Sequence, residues 1–188
     1  MNKFFKTITA VFAICILFSC SDDEGVRDLA RFGFNYNSKF YVLNTASYID
    51  ENVADETTPS RLSITLSNVD LYNSDATSNV NSLYFDFDGI ALEAGEIAQI
   101  NDYYIEIGGS FVANTDPDVE GVTYTYVNGT YLLDAEQSGL TATEKSVVIN
   151  SITDSTISLT FSFTRADGQV FSGNYVGSYT DNSPLPEE

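Results

Sequence analysis

Histidine and tryptophan are absent from this 188-residue chain, and cysteine occurs only twice, at Cys15 and Cys20. Without histidine there is no Ser-His-Asp or Cys-His nucleophile, no His-ligated zinc and no His-ligated haem. Without tryptophan the side chain most suited to stacking on sugars is missing, and twelve tyrosines are the available substitute. Positive charge is scarce too: eight Lys and Arg face 27 Asp and Glu, a formal net charge of −19. A field of that sign repels phosphate backbones and anionic headgroups alike. Nucleic acid is excluded as a partner, and no basic patch can hold the chain on a membrane. The most apolar stretch, Ile8 to Phe18, is about half the roughly twenty residues that a helical membrane span needs.

That short stretch follows Lys3 and Lys6, and a basic start followed by an apolar core reads as a secretion signal over residues 1–19. It ends in Leu17-Phe18-Ser19-Cys20, which resembles the lipobox of bacterial lipoproteins. The resemblance implies that Cys20 carries a thioether-linked diacylglycerol and begins the mature chain. Each buried acyl methylene then contributes about 0.8 kcal/mol, so two or three chains anchor stably. No thiol remains for a disulfide, a nucleophile or a metal. The next four residues, Ser21-Asp22-Asp23-Glu24, resemble the signal that sends Bacteroidota lipoproteins to the outer leaflet, facing the medium. The alternative is a solvated acidic tether on the periplasmic face. Loss of residues 1–19 leaves six basic and 27 acidic side chains, a formal charge of −21.

What is abundant is alternation. Ile157-Ser158-Leu159-Thr160-Phe161-Ser162-Phe163-Thr164 places apolar side chains at every odd position and hydroxyls at every even one. Leu62 to Ser67 and Leu83 to Asp88 follow the same rule, which marks strands with one face on a core. Further β-branched and aromatic runs cover Phe32–Tyr36, Phe40–Ile49, Tyr103–Val112, Val122–Leu133, Ser146–Ile152 and Gln169–Tyr179. Asn37-Ser38, Thr153-Asp154-Ser155 and Ala166-Asp167-Gly168 supply hairpin turns. Residues 50–60 and 68–80 read as surface loops, and Ile90–Ile100 as the one candidate helical piece, weakened by Gly95. The pattern predicts an all-β fold, an antiparallel β-sandwich or flattened barrel of eight or nine strands over 31–180. An acylated tether at 20–30 precedes it and a disordered tail at 181–188 follows. The first hairpin, the Leu92–Gly95 turn and the closing Asp-Gly hairpin together resemble small β-rich Bacteroidota lipoproteins. That likeness implies a fold and a habitat.

Four sets of residues are candidates for chemistry. Asp116, Asp118 and Glu120 sit close enough on one loop to contribute calcium ligands, although their spacing matches no EF-hand. Asp86 and Asp88 share a strand face, expected to meet water opposite Phe85 and Phe87. Tyr103, Tyr104, Tyr124, Tyr126 and Tyr131 form an aromatic group, with Tyr124 and Tyr126 on one face. Asp154-Ser155-Thr156 resembles the short O-glycosylation motif of Bacteroidota, with Ser155 as acceptor. No cofactor is implied. The expected function is non-catalytic recognition of a glycan, a partner protein or an envelope component, with the acyl group as the link to the membrane. The alternatives are a carboxylate-dependent polysaccharide hydrolase and a calcium-stabilised adhesion module.

Overall fold

The computed structural model describes residues 32–52, 57–72, 77–113 and 123–184. Contacts divide the chain into Met1–Ala30 and Arg31–Glu188, and every described residue falls in the second unit. The secretion signal, Cys20 and Ser21 to Glu24 therefore lie outside the described residues, as do Asp116, Asp118 and Glu120. Thirteen strands run in chain order: β1 Gly33–Tyr36, β2 Lys39–Val42, β3 Thr45–Asp50, β4 Ser60–Ser67, β5 Thr77–Gly89, β6 Gly95–Glu96 and β7 Tyr103–Ala113. They continue as β8 Tyr124–Val127, β9 Thr130–Asp134, β10 Ala142–Ile152, β11 Thr156–Arg165, β12 Val170–Ser178 and β13 Thr180–Asp181. Eight of these have five residues or more.

Two sheets result, packed face to face as a sandwich and not closed into a barrel. The first has the order β2-β1-β12-β11-β10-β6, and the second β13-β3-β4-β5-β7-β8 with β9 also on β7. All pairings are antiparallel except the two-residue β13, which runs parallel to β3. Alternation accounts for the arrangement. Ile157, Leu159, Phe161 and Phe163 of β11 are buried, and so are Leu62, Ile64 and Leu66 of β4 and Leu83, Phe85 and Phe87 of β5. The sheets meet through such contacts as Tyr103 against Phe163, ring centroids 5.5 Å apart. Polar groups stitch the seam: Ala142 N–H donates to the Tyr103 hydroxyl at 2.8 Å, and Arg165 Nη1 donates to the Leu132 carbonyl at 2.6 Å.

Several segments depart from expectation. Ile90–Ile100 is not helical; its middle forms β6, which pairs Glu96 with Val148 and Gly95 with Ile149, and Ile97 N–H donates to the Val147 carbonyl. The exposed edge of β10 offers that segment more hydrogen bonds than one interrupted helical turn could. The loop expected over 68–80 ends earlier, because β5 already begins at Thr77. The run Phe40–Ile49 is two strands, and the chain crosses from the first sheet to the second between Val42 and Thr45. At the far end, Asp181 belongs to β13, Asn182 N–H donates to the Tyr48 carbonyl, and Ser183 Oγ accepts from Asp50 N–H at 2.8 Å. Residues 185–188 of the expected tail are outside the described residues.

The hairpin turns fall where the sequence placed them. Asn37 and Ser38 join β1 to β2 with φ of 48° and 61°, both left-handed. Two such residues in a row match the twist of a two-residue hairpin, for which Asn-Gly is the preferred pair. Serine at the second place carries a steric cost that glycine does not. Ser38→Gly is therefore expected to raise stability by about 0.5–1 kcal/mol, read as a higher urea midpoint; a midpoint that stays put or falls would contradict a strained turn.

Candidate functional site

The outward face of the second sheet is crowded with tyrosine. Inward positions of β5, β7 and β9 hold Leu83, Phe85, Tyr103, Ile105 and Leu133 in the core. Alternation puts Tyr84 and Tyr104 on the other side, and a bulge at Leu132, where the β7–β9 register shifts, turns Tyr131 to that side too. Register places Tyr84 directly across from Tyr104, and their rings stack at 5.2 Å with an interplanar angle of 16°. Tyr131 meets Tyr104 edge-on at 5.7 Å and 88°. The result is a strip of three rings across three strands, each ring half-buried by its neighbours.

A backbone bend extends the strip. β8 and β9 are consecutive halves of one line of chain beside β7, interrupted at Asn128-Gly129. Opposite the break, β7 passes through Gly108, with φ 73°, and Gly109. A Cβ on Gly129 would collide with the Ile107 carbonyl, and one on Gly109 with the Tyr126 hydroxyl. Only glycine lets the strands approach this closely. The approach brings Tyr126 of β8 back over Glu106 of β7, and its hydroxyl donates to Glu106 Oε2 at 3.0 Å. Gly129 N–H donates to Glu106 Oε1. Phe111 packs on Tyr126 at 4.9 Å.

Two carboxylates lie beneath this face, each 1% exposed. Asp86 is the first, and its burial corrects the expectation that it meets water. It is paired by Arg61 Nε, accepts from the Tyr84 hydroxyl at 3.0 Å and accepts from Asp102 N–H at 2.8 Å. Arg61 lies across the strand and, with the 101–102 segment, closes over it. Asp88, two residues on, is exposed as expected. Glu106 is the second carboxylate, and none of the ion pairs among the described residues involves it. Asp86 pairs across from the segment at Asp102, whereas Glu106 pairs with Ser82. They are thus four positions apart along the strands, roughly 13 Å.

Burial raises the phenol pKa values along the strip, and the adjacent carboxylates raise them further. Tyr84 is pushed up to about 12 by burial and then by Asp86. Tyr104 and Tyr126 are pushed higher, by burial and then by Glu106, and Tyr131 moves the same way for the same reasons.

The other singled-out residues fall elsewhere. Tyr103 points into the core, its ring against Phe163. Tyr124 and Tyr126 share a face of β8, both half-buried. Ser155 is exposed in the turn between β10 and β11, its carbonyl accepting from Tyr179 N–H. An open depression of about 410 Å³ beside the strip is lined by Arg61, Asp86, Asp88, Asp102 and Glu136, among others. Among the described residues no group of three or more acidic or sulfur ligands is arranged to hold a metal ion.

All four basic side chains of the described residues are engaged. Arg61 pairs with Asp86 and reaches Glu51 at 3.5 Å, and Arg165 pairs with Asp167 at 2.7 Å. Lys145 donates to the Ile100 carbonyl at 2.8 Å, and Lys39 sits 4.7 Å over the Tyr41 ring. The strip can therefore offer ring faces, phenol hydroxyls and negative charge, but no cation for an anionic ligand. Comparison with family models, with curated proteins and with solved structures finds no match to this chain.

The raised phenols set a pH limit. Below pH 10 the tyrosines keep their protons in both folded and unfolded chains and contribute no pH dependence. Between pH 10 and about 12 the unfolded chain releases protons that the folded one retains, so stability falls as pH rises through that window. Tyrosinate absorbance followed alongside circular dichroism should show fewer than twelve phenols titrating before the fold is lost. Ionisation of all twelve near pH 10 in an intact fold would contradict the packed strip.

Proposed function

We propose that this chain is a lipid-anchored protein of the bacterial cell surface, whose sandwich recognises a glycan without chemically altering it. The observation that carries the recognition reading is the strip of Tyr84, Tyr104 and Tyr131, extended by Tyr126. Aromatic rings held in a row on rigid strands suit the flat, C–H-rich faces of sugar rings, and the phenol hydroxyls suit their polar rims. The rings are locked by one another and by buried carboxylates, so little side-chain freedom is lost when a ligand settles on them.

The non-catalytic part rests on the acids. Glycoside hydrolysis by paired carboxylates needs them roughly 5–10 Å apart across one substrate bond. Asp86 and Glu106 are more widely separated along the strands, and each is already bound by protein donors. On this reading these two acids position tyrosines and do not form an acid–base pair with each other. Titration of neutral and amino-bearing oligosaccharides into the full chain should show binding that Tyr104→Ala and Tyr131→Ala each weaken by about tenfold, the ~1–1.5 kcal/mol of a lost aromatic contact. Unchanged affinity in both variants would move the site off this face.

The anchoring part rests on Cys20 and the acidic residues behind it. Protease shaving of intact cells should degrade the wild-type protein and spare a variant with Ser21, Asp22, Asp23 and Glu24 all changed to alanine. Cys20→Ser should release the protein from the membrane fraction. Protection of the wild type would assign it to the periplasmic face instead.

A further inference from the structure

Asp86 and Glu106 share a sheet face and a degree of burial but differ in one respect. Asp86 has Arg61 as its counter-charge, whereas Glu106 has only a phenol and a main-chain N–H. A carboxylate withdrawn from water without a cation is costly, and a cation brought over it relieves that cost. What covers Glu106 is aromatic. Tyr126 bonds to it directly, and it acts electrostatically on Tyr104 and Tyr131 as well as on Tyr126. The faces of those rings carry the negative part of the aromatic quadrupole, so ring and carboxylate favour the same kind of guest.

That guest is an organic cation. A neutral sugar gains nothing from an uncompensated buried charge, and an anion is repelled by it and finds no available basic side chain among the described residues. Arg61, the nearest to this face, is committed to Asp86.

We propose that the tyrosines gathered over Glu106 form a site for a protonated amino group, supplied by an amino sugar within a glycan chain. The proposal rests on the glycan reading above and names the class of glycan. The ammonium sits against the outer ring faces of this tyrosine group, and Glu106 acts from below without touching it. The neighbouring ring of Tyr84 continues the platform for the adjoining sugar.

The test is calorimetric titration of the full-length chain, in detergent, with β-1,4-linked glucosamine oligosaccharides and their fully N-acetylated counterparts of equal length. Conditions are set so that the free amines are protonated. The wild type should bind the amino form about tenfold more tightly than the acetylated form. In Glu106→Gln, which keeps the shape, an acceptor oxygen for Gly129 N–H and an amide N–H that the Tyr126 hydroxyl oxygen can accept, the ratio of the two affinities should fall to near one. If that variant fails to fold by its melting curve, Tyr131→Leu leaves the carboxylate in place and should lower the ratio about two- to fivefold. Equal affinity for the two oligosaccharides, or a ratio that neither variant changes, overturns the ammonium site while leaving glycan recognition standing. Absence of binding to either oligosaccharide or to any neutral glycan overturns both. An oligolysine peptide that binds more tightly than the amino sugar overturns the glycan as the source of the cation.

Discussion

Everything in this domain depends on the exclusion of water between two sheets that no disulfide clamps together. With no disulfide available to the described residues, the sandwich stands on the inward faces of its strands, where burial contributes roughly 25 cal/mol per Å² of apolar surface. The inner layer is dense in rings: Phe34, Phe85, Phe161, Phe163, Phe171 and Tyr175 are all buried. Because strand side chains alternate, fixing one set inward fixes the other set outward, and a slip of one residue would turn the core inside out. Tyr84 and Tyr104 thus face outward because of core packing, whereas Tyr131 needs the bulge at Leu132 as well. Tyr103 and Tyr104 are chemically identical neighbours, yet one seals the core and the other lies on the outer face, because register leaves them no choice.

The bend at Gly108, Gly109 and Gly129 modifies that plain geometry most where it bears on the tyrosine face. There two strands come closer than side chains allow, and the outer face curls over itself. Without the bend Tyr126 would point away from Glu106, and the carboxylate would lie open to water. Three glycines therefore decide whether Glu106 is a solvated surface acid or a buried one under aromatic cover. Arg61 and Asp86 show the ordinary solution to a buried acid on the same sheet, which makes the other arrangement stand out.

Much of the fold was legible from alternation alone. Strands β4, β5 and β11 lie where period two is cleanest, and the three hairpin turns sit at Asn37-Ser38, Thr153-Asp154-Ser155 and Ala166-Asp167-Gly168, because turn chemistry is local. The segment at Ile90–Ile100 departs from its local pattern for the converse reason: its conformation is set by the distant edge of β10, which no local pattern announces. A charged residue on an outward position is usually solvated, and Asp86 is not. Its burial depends on Arg61 and Asp102, remote in sequence and brought alongside by sheet pairing. Glu106 was not singled out, although Tyr104-Ile105-Glu106-Ile107-Gly108-Gly109 carries a signal in retrospect: an acid alternating with a tyrosine just before a glycine pair. The tyrosine group itself was visible, but which of its members turn outward required the register.

The lack of tryptophan has an optical consequence. All intrinsic ultraviolet emission from this protein belongs to tyrosine, with no stronger indole fluorophore to mask it. Rings as close as Tyr84, Tyr104 and Tyr131 exchange excitation far faster than they emit, so a photon absorbed anywhere along the strip migrates among them. A phenol bonded to a carboxylate, as Tyr126 is to Glu106 and Tyr84 to Asp86, is a quenching trap at either end of that path. The outer face of the second sheet should therefore emit weakly, and its brightness is tied to the same two hydrogen bonds that hold its rings in place.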